Sequence, residues 1–329
     1  PKVSASIAEK VLVFADENPQ KVAVHVRAGK DNIEGTLQLN APKGWVVSSP
    51  QLFTLERQGE TSTLWFTVTP PKNQSQGYLR PLIQIGDTYY DKELINIDYD
   101  HIPYQSVLLP SKAKVVRINI EKKGQHIGYI QGAGDGVGQS LEQIGYTVTN
   151  LDVTEISAQS LKKYDAVVVG VRAYNTIDAL AFAQKELNKY VQAGGTMVVQ
   201  YNTSHRLVTK QVAPYALSLS RDRVTDEFAP VTILDPSHSV LNSPNKITQE
   251  DFKGWVQERG LYFPNKWAEE FTPILAMNDK GAPQTKGSLL VARYGKGHFV
   301  YTGLSFFREL PAGVAGAYRL FANIISIGK

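Results

Sequence analysis

Cysteine is absent from the 329 residues, and its absence removes several chemistries together. The chain has no thiol nucleophile, no disulfide framework and no thiolate-held zinc or iron–sulfur centre. Compartment stays open, because cysteine-free chains are comfortable on either side of a membrane. Long apolar runs are missing too. The longest, Ala166–Val171, is strand-sized, well short of the ~18–20 residues of a membrane helix, so no membrane span is expected. Charge of one sign is not in surplus. The 35 Lys+Arg against 31 Asp+Glu leave a net +4, too slight at this length to imply nucleic acid. The chain opens at Pro1 with neither an initiator Met nor a signal peptide, as expected of a mature chain or an excised fragment.

What is present is globular material. A composition of 42% hydrophobic and 20% charged residues excludes a disordered chain. The length implies two domains, each able to bury a core unaided. The first third alternates with a period of two: Val22, Val24 and Val26, then Leu37 and Leu39, then Leu64, Phe66 and Val68. Turn signals lie between these runs, among them Pro42-Lys43-Gly44 and Pro70-Pro71. Short strands with polar turns predict an antiparallel β-sandwich over residues 1–110, with Trp45 at one end of its core. A connector near 104–125 holds one β-like run, Val115–Ile120. From there strands and helices alternate. Ile127–Ile130, Thr147–Leu151, Ala166–Val171 and Thr196–Gln200 read as strands, and a hairpin joins Leu289–Tyr294 to His298–Gly303. Helical stripes fall at Val137/Leu141/Ile144, Leu180/Leu187/Val191 and Val314/Tyr318/Phe321/Ile325. This pattern predicts an α/β domain over 111–329, a parallel sheet with helices on both faces.

Gly132, Gly134, Gly136 and Gly138 follow the first of these strands, with Asp152 twenty residues past Gly132. The spacing departs from a dinucleotide fingerprint, and Asp135 would set a carboxylate among amides meant for pyrophosphate. Asp135 is expected either to cap the next helix or to accept hydrogen bonds from a neutral polyol.

In open α/β sheets ligands bind at the carboxyl ends of the strands. Hydrolases of that architecture expose a nucleophile on a sharp Gly-x-Ser/Cys-x-Gly turn. Here the turn reads Gly170-Val171-Arg172-Ala173-Tyr174. A guanidinium stays protonated and cannot attack a carbonyl. It can bind a carboxylate, a phosphate or sugar hydroxyls through its fork of donors, or it can pair with an acid such as Asp152. Candidate ligand contacts at this edge are Asp135, Arg172, Tyr174, Asn202, His205 and Arg308, with Trp255 and Glu258 from an aromatic and charged segment at Asp251–Tyr262. His205 and Glu258 are the catalytic candidates, as base and acid of a stand-alone hydrolase, with Asp135 an alternative acid. Ser305 could serve as a nucleophile beside His205, though its Leu-Ser-Phe-Phe setting lacks the glycines of an elbow. The Asp235-Pro236-Ser237-His238 spacing suggests turn chemistry, and no metal site is expected.

Three runs resemble a known family: Ile127–Asp135, the block from Asn245-Lys246-Ile247-Thr248 to Leu261-Tyr262-Phe263-Pro264, and Tyr301–Pro311. They look like the C-terminal region of large bacterial PIG-L (LmbE-like) deacetylases. The resemblance implies an Ig-like sandwich followed by a flavodoxin-like domain of the class I glutamine amidotransferase and ThuA type. In that family the zinc chemistry lives in a separate N-terminal domain, around a His-Pro-Asp-Asp motif this chain lacks. The amidotransferase cysteine corresponds in position to Arg172. The resemblance therefore implies a non-catalytic accessory region that is periplasmic or secreted and carries no cofactor of its own. Its partner would be a glycan or the N-terminal zinc deacetylase domain. The alternatives are a stand-alone glycan or amide hydrolase, and a purely structural packing module.

Overall fold

A computed structural model describes residues 1–329. The chain is β-rich and divides into two compact units, Pro1–Asn119 and Ile120–Lys329. The first is a β-sandwich. One sheet runs Val3–Ile7, Gln20–Ala28, Thr61–Thr69, Val46–Val47, and the other Val11–Phe14, Ala113–Arg117, Ser75–Ile85, Ile33–Asn40, Gln51–Leu55. The period of two explains the layering, since alternate side chains of a strand face opposite ways. Val22, Val24, Val26, Phe66 and Val68 of one sheet share a buried cluster with Leu37, Leu39, Leu79, Ile83 and Val115 of the other. Trp45 belongs to that cluster, edge-on to Phe14 at 5.0 Å. The run containing Val115 is not a free connector. Ala113–Arg117 sits inside the second sheet, parallel to Val11–Phe14 and antiparallel to Ser75–Ile85.

The second unit is built on a seven-stranded sheet. Its strands are β1 (His126–Ile130), β2 (Thr147–Asn150), β3 (Ala166–Val169), β4 (Thr196–Val199), β5 (Phe271–Pro273), β6 (Leu289–Tyr294) and β7 (Gly297–Thr302). They lie in the order β2-β1-β3-β4-β7-β6-β5. The first five are mutually parallel, while β6 and β5 add antiparallel edges. Every residue of β3 and β4 is buried, as strands covered on both faces require. Six helices follow: α1 (Val137–Gln143), α2 (Ala158–Leu161), α3 (Ala173–Thr176), α4 (Leu180–Gln192), α5 (Phe306–Glu309) and α6 (Ala315–Ser326). Leu180, Leu187 and Val191 of α4 share a cluster with Val167, Val169, Met197, Val199 and Phe299. The alternate strand positions Tyr129, Val168, Val198 and Val300 are equally buried but point the other way. Gly138 of α1 lies against Tyr129 and Val148 on that second face. Helix α4 ends at Gly194, φ 122°, the left-handed position at which a helix commonly stops.

Candidate functional site

The site begins with an elbow. Strand β3 ends at Val169, and Gly170 follows because nothing larger fits: a Cβ there would lie 2.9 Å from the Gly132 nitrogen and 2.9 Å from the Ile130 carbonyl oxygen. Val171 turns into the core and Arg172 takes a left-handed conformation, φ 57°, ψ 19°, just before α3. For a residue with a Cβ that conformation costs roughly 1–2 kcal/mol. It holds the elbow together: Arg172 N–H donates to the Tyr201 carbonyl at 2.8 Å, and its carbonyl accepts from Thr176 Oγ1 at 3.1 Å. The side chain is exposed and joins none of the ion pairs of the molecule. Asp152, the alternative partner, is engaged elsewhere. It accepts from Thr154 N at 2.9 Å and Oγ1 at 2.7 Å, bonds that hold its carboxyl below the usual range.

Beside the elbow, two residues past β4, stands Tyr201. Its ring stacks on Tyr262 (centroids 6.1 Å apart, planes within 9°) and meets Phe307 at 5.1 Å. Arg308 donates from Nε to Glu258 Oε1 at 2.7 Å, with its guanidinium 4.7 Å from the Phe307 ring. Burial raises the Tyr201 phenol above its ordinary pKa, opposed by the positive charges of Arg172 and Arg308 and reinforced by Glu258. Both guanidinia and the carboxylate thus act on one phenol. The Arg223 guanidinium stands 5.8 Å from the Tyr262 ring centroid. Arg223 also lines a cleft of about 540 Å³ with Asp222, Trp267, Asp279 and Lys286. The non-glycine residues with positive φ are Asn32, Arg172, Arg206, Gln257 and Tyr262. All but Asn32 lie in or beside the segments at the carboxyl edge of the sheet. Strain of this kind persists only where surrounding structure enforces it, and it gathers at ligand sites.

The remaining expected contacts divide. His205 is exposed in the loop after β4, its carbonyl accepting from Asn175 Nδ2 at 3.0 Å. Glu258 and Arg308 are half-buried and paired. Tyr174, Asn202 and Trp255 require correction, because all three point into the interior. Tyr174 donates to Gln184 Oε1 at 2.5 Å, and burial raises its phenol pKa. Asn202 is engaged inside the fold, accepting from Tyr174 N at 2.9 Å and donating to the Gln200 carbonyl at 2.9 Å. Trp255 donates to the Asp251 carbonyl at 2.9 Å and packs on Phe252 and Phe306. Asp135 is half-buried and acts as a staple. One oxygen accepts from Tyr129 Oη at 2.5 Å and Val137 N at 3.0 Å, the other from Val171 N at 3.1 Å. The capping expectation is corrected, since Gly136 is the N-cap of α1 and no side chain caps it; Asp135 instead holds the Val137 amide and ties the glycine loop to the elbow.

The hydrolase arrangement is not assembled. Glu258 is bonded to Arg308 and Asp135 to its three donors, and neither carboxylate forms a hydrogen bond with His205. Ser305 is fully buried, its hydroxyl turned to the Glu258 carbonyl at 2.7 Å. Asp235 accepts from Ser237, and His238 Nδ1 from Val240 N, so that loop uses its polar groups in its own turn. No cluster of three or more His, Asp and Glu could hold a metal ion. Sequence reasoning missed Tyr201 and Arg223. The one available signal for Tyr201 was its position just past a buried strand.

Glu309 supports this edge from behind. It is fully buried, accepting from Val256 N at 2.9 Å. Burial pushes its carboxyl up to about 8, against the pull of that bond, of Ser305 and of the nearby Arg259. Through Val256 it positions the turn that carries Glu258.

No family model matches the chain. No curated protein matches it either. Among solved structures, it is similar to a Thermoplasma acidophilum protein assigned as a GMP synthase subunit, at 12% identity and TM-score 0.41, over 62% of this chain and 96% of the other. It is similar to the exo-β-1,4-mannosidase Op5Man5 of Opitutaceae bacterium strain TAV5, at 12% identity and TM-score 0.36, over 61% and 36%. A family 123 glycoside hydrolase of Clostridium perfringens matches at 10% identity and TM-score 0.21, over 62% and 38%. The chain thus spans little more than a third of either hydrolase. At such identities and TM-scores these likenesses assign neither family nor activity.

Proposed function

We propose that this chain is a non-catalytic accessory region of a carbohydrate-active enzyme of the PIG-L deacetylase type, binding glycan at the carboxyl edge of its second unit. The observation that carries the proposal is Arg172. An unpaired guanidinium occupies a strained strand-to-helix elbow, where hydrolases of this architecture hold their nucleophile, beside a stack of Tyr201, Tyr262 and Phe307. Aromatic rings supply surface for the apolar face of a sugar. Arg172, Arg308 and Glu258 supply donors and acceptors for its hydroxyls. The strand order β2-β1-β3-β4-β7 supports a flavodoxin-like reading, and with it an edge suited to ligands. The zinc deacetylase domain implied by the sequence resemblance is the proposed partner, in a periplasmic or secreted enzyme, and no cofactor is assigned to this chain.

Calorimetric screening of the chain against neutral and charged oligosaccharides tests the proposal. Binding should appear for at least one class and should fall about tenfold or more in Tyr262→Ala. Binding that ignores Tyr262→Ala and Arg172→Ala would move the site elsewhere, and turnover of acetylated sugars by this chain alone would contradict a non-catalytic role.

A further inference from the structure

We infer that the carboxyl-edge site selects an anionic sugar, one bearing carboxylate or sulfate, which Arg172 grips through its guanidinium. The inference rests on the glycan reading and names the class of glycan. Charge is the first ground. Arg223 lies against the Tyr262 ring, Arg308 against Phe307, and Arg172 is bonded through its backbone N–H to the Tyr201 carbonyl; of the three guanidinia only Arg308 is in an ion pair, with Glu258. Arg172 enters no ion pair, and Arg223 has only a 3.4 Å contact to the Arg221 carbonyl besides the face of Tyr262. A guanidinium has donors and no acceptor, and its best partner is a planar or tetrahedral oxyanion bound by two parallel hydrogen bonds. The hydroxyls of a neutral sugar can accept from it, but they leave its charge uncompensated.

The second ground is geometry. Arg172 is fixed at its root by bonds from its backbone N–H and carbonyl in a conformation with φ 57°, so little backbone freedom remains to be lost on binding. Tyr201 is covered by Tyr262 and Phe307 and is itself 9% exposed. The Tyr201 ring is therefore taken up, and a ligand meets this platform at the partly exposed Tyr262 and Phe307. A nucleotide phosphate is disfavoured at the neighbouring helix start, where the Asp135 carboxylate already holds the Val137 and Val171 amides. A sugar ring laid on the edge of the platform, with its acidic group toward Arg172, satisfies both features.

The test is calorimetric titration of the full chain with tetragalacturonate, its fully methyl-esterified form and a sulfated carrageenan tetrasaccharide. At least one acidic probe should bind about tenfold or more tightly than the ester. Its affinity should fall steeply between about 20 mM and about 500 mM NaCl. Arg172→Gln should remove most of that preference, and Arg172→Lys, which keeps charge without the fork, should restore only part of it. A melting curve for each variant separates lost binding from lost folding. Which acidic probe binds distinguishes carboxylate from sulfate. Equal binding of acid and ester, both lost in Tyr262→Ala, would overturn the anionic class and leave the glycan reading standing. Binding of an acidic probe unaffected by Arg172→Gln would overturn the seat. Failure of every probe would overturn the class for this site and, together with a blank neutral screen, the glycan reading.

Discussion

Arg172 carries two opposed demands. Its left-handed backbone suits glycine, yet the position holds the longest cationic side chain available. If binding keeps arginine there, Arg172→Gly should raise stability by about 1 kcal/mol in urea unfolding while binding is lost. Equal loss of stability and binding would mean the side chain supports the fold instead. Glu309 makes a second prediction. Its folded carboxyl is raised to about 8 from an ordinary 4.5, so the folded chain retains a proton the unfolded chain releases. Its contribution to stability is complete below the unfolded value, falls as pH rises through the interval and is fully lost above about 8. The melting temperature should therefore decline between about pH 5 and pH 8, and Glu309→Gln should flatten that decline. Parallel profiles would show that another group sets the slope.

At the level of elements, the sequence pattern reported the parallel strands and main helices, because burial on one face or two leaves a readable period, but it missed the strands Leu217–Val224 and Gly260–Trp267, whose burial is irregular. Val22/Val24/Val26 lie in Gln20–Ala28 and Leu180/Leu187/Val191 in α4. The elbow was also legible, since Gly170 and the residues after it follow the most apolar strand. The aromatic stack was not. Tyr201 and Tyr262 are far apart in sequence and meet only because the segment entering at Gly260 bridges to Leu304, beyond the end of β7. Trp255, a ligand candidate in a segment that could equally pack inward, is enclosed by Phe252 and Phe306. Trp255→Ala should accordingly cost about 3–5 kcal/mol in urea unfolding; a loss below about 1 kcal/mol would return it to the surface. Asp135 joins two loops through three donors, so Asp135→Ala should cost about 1–3 kcal/mol and loosen the elbow.

For the whole molecule, a chain without cysteine stabilises two units without a disulfide. The second has its own complete sheet and its own clusters, so residues 120–329 alone should melt in one cooperative step. A broad, non-cooperative transition would show dependence on the sandwich. The proposed site also has a location at this scale: the strand-to-helix elbow after β3 is occupied by Arg172, the side chain proposed to grip the ligand. Hydrogen–deuterium exchange on the full chain, with and without the tightest-binding oligosaccharide, tests that assignment most directly. Protection should concentrate at Gly170–Arg172, Tyr201–Arg206, Gln257–Tyr262 and Phe307–Arg308. Protection confined to the sandwich, for instance around Glu34–Thr36 and Leu52–Thr54 where a second cleft lies, would contradict it.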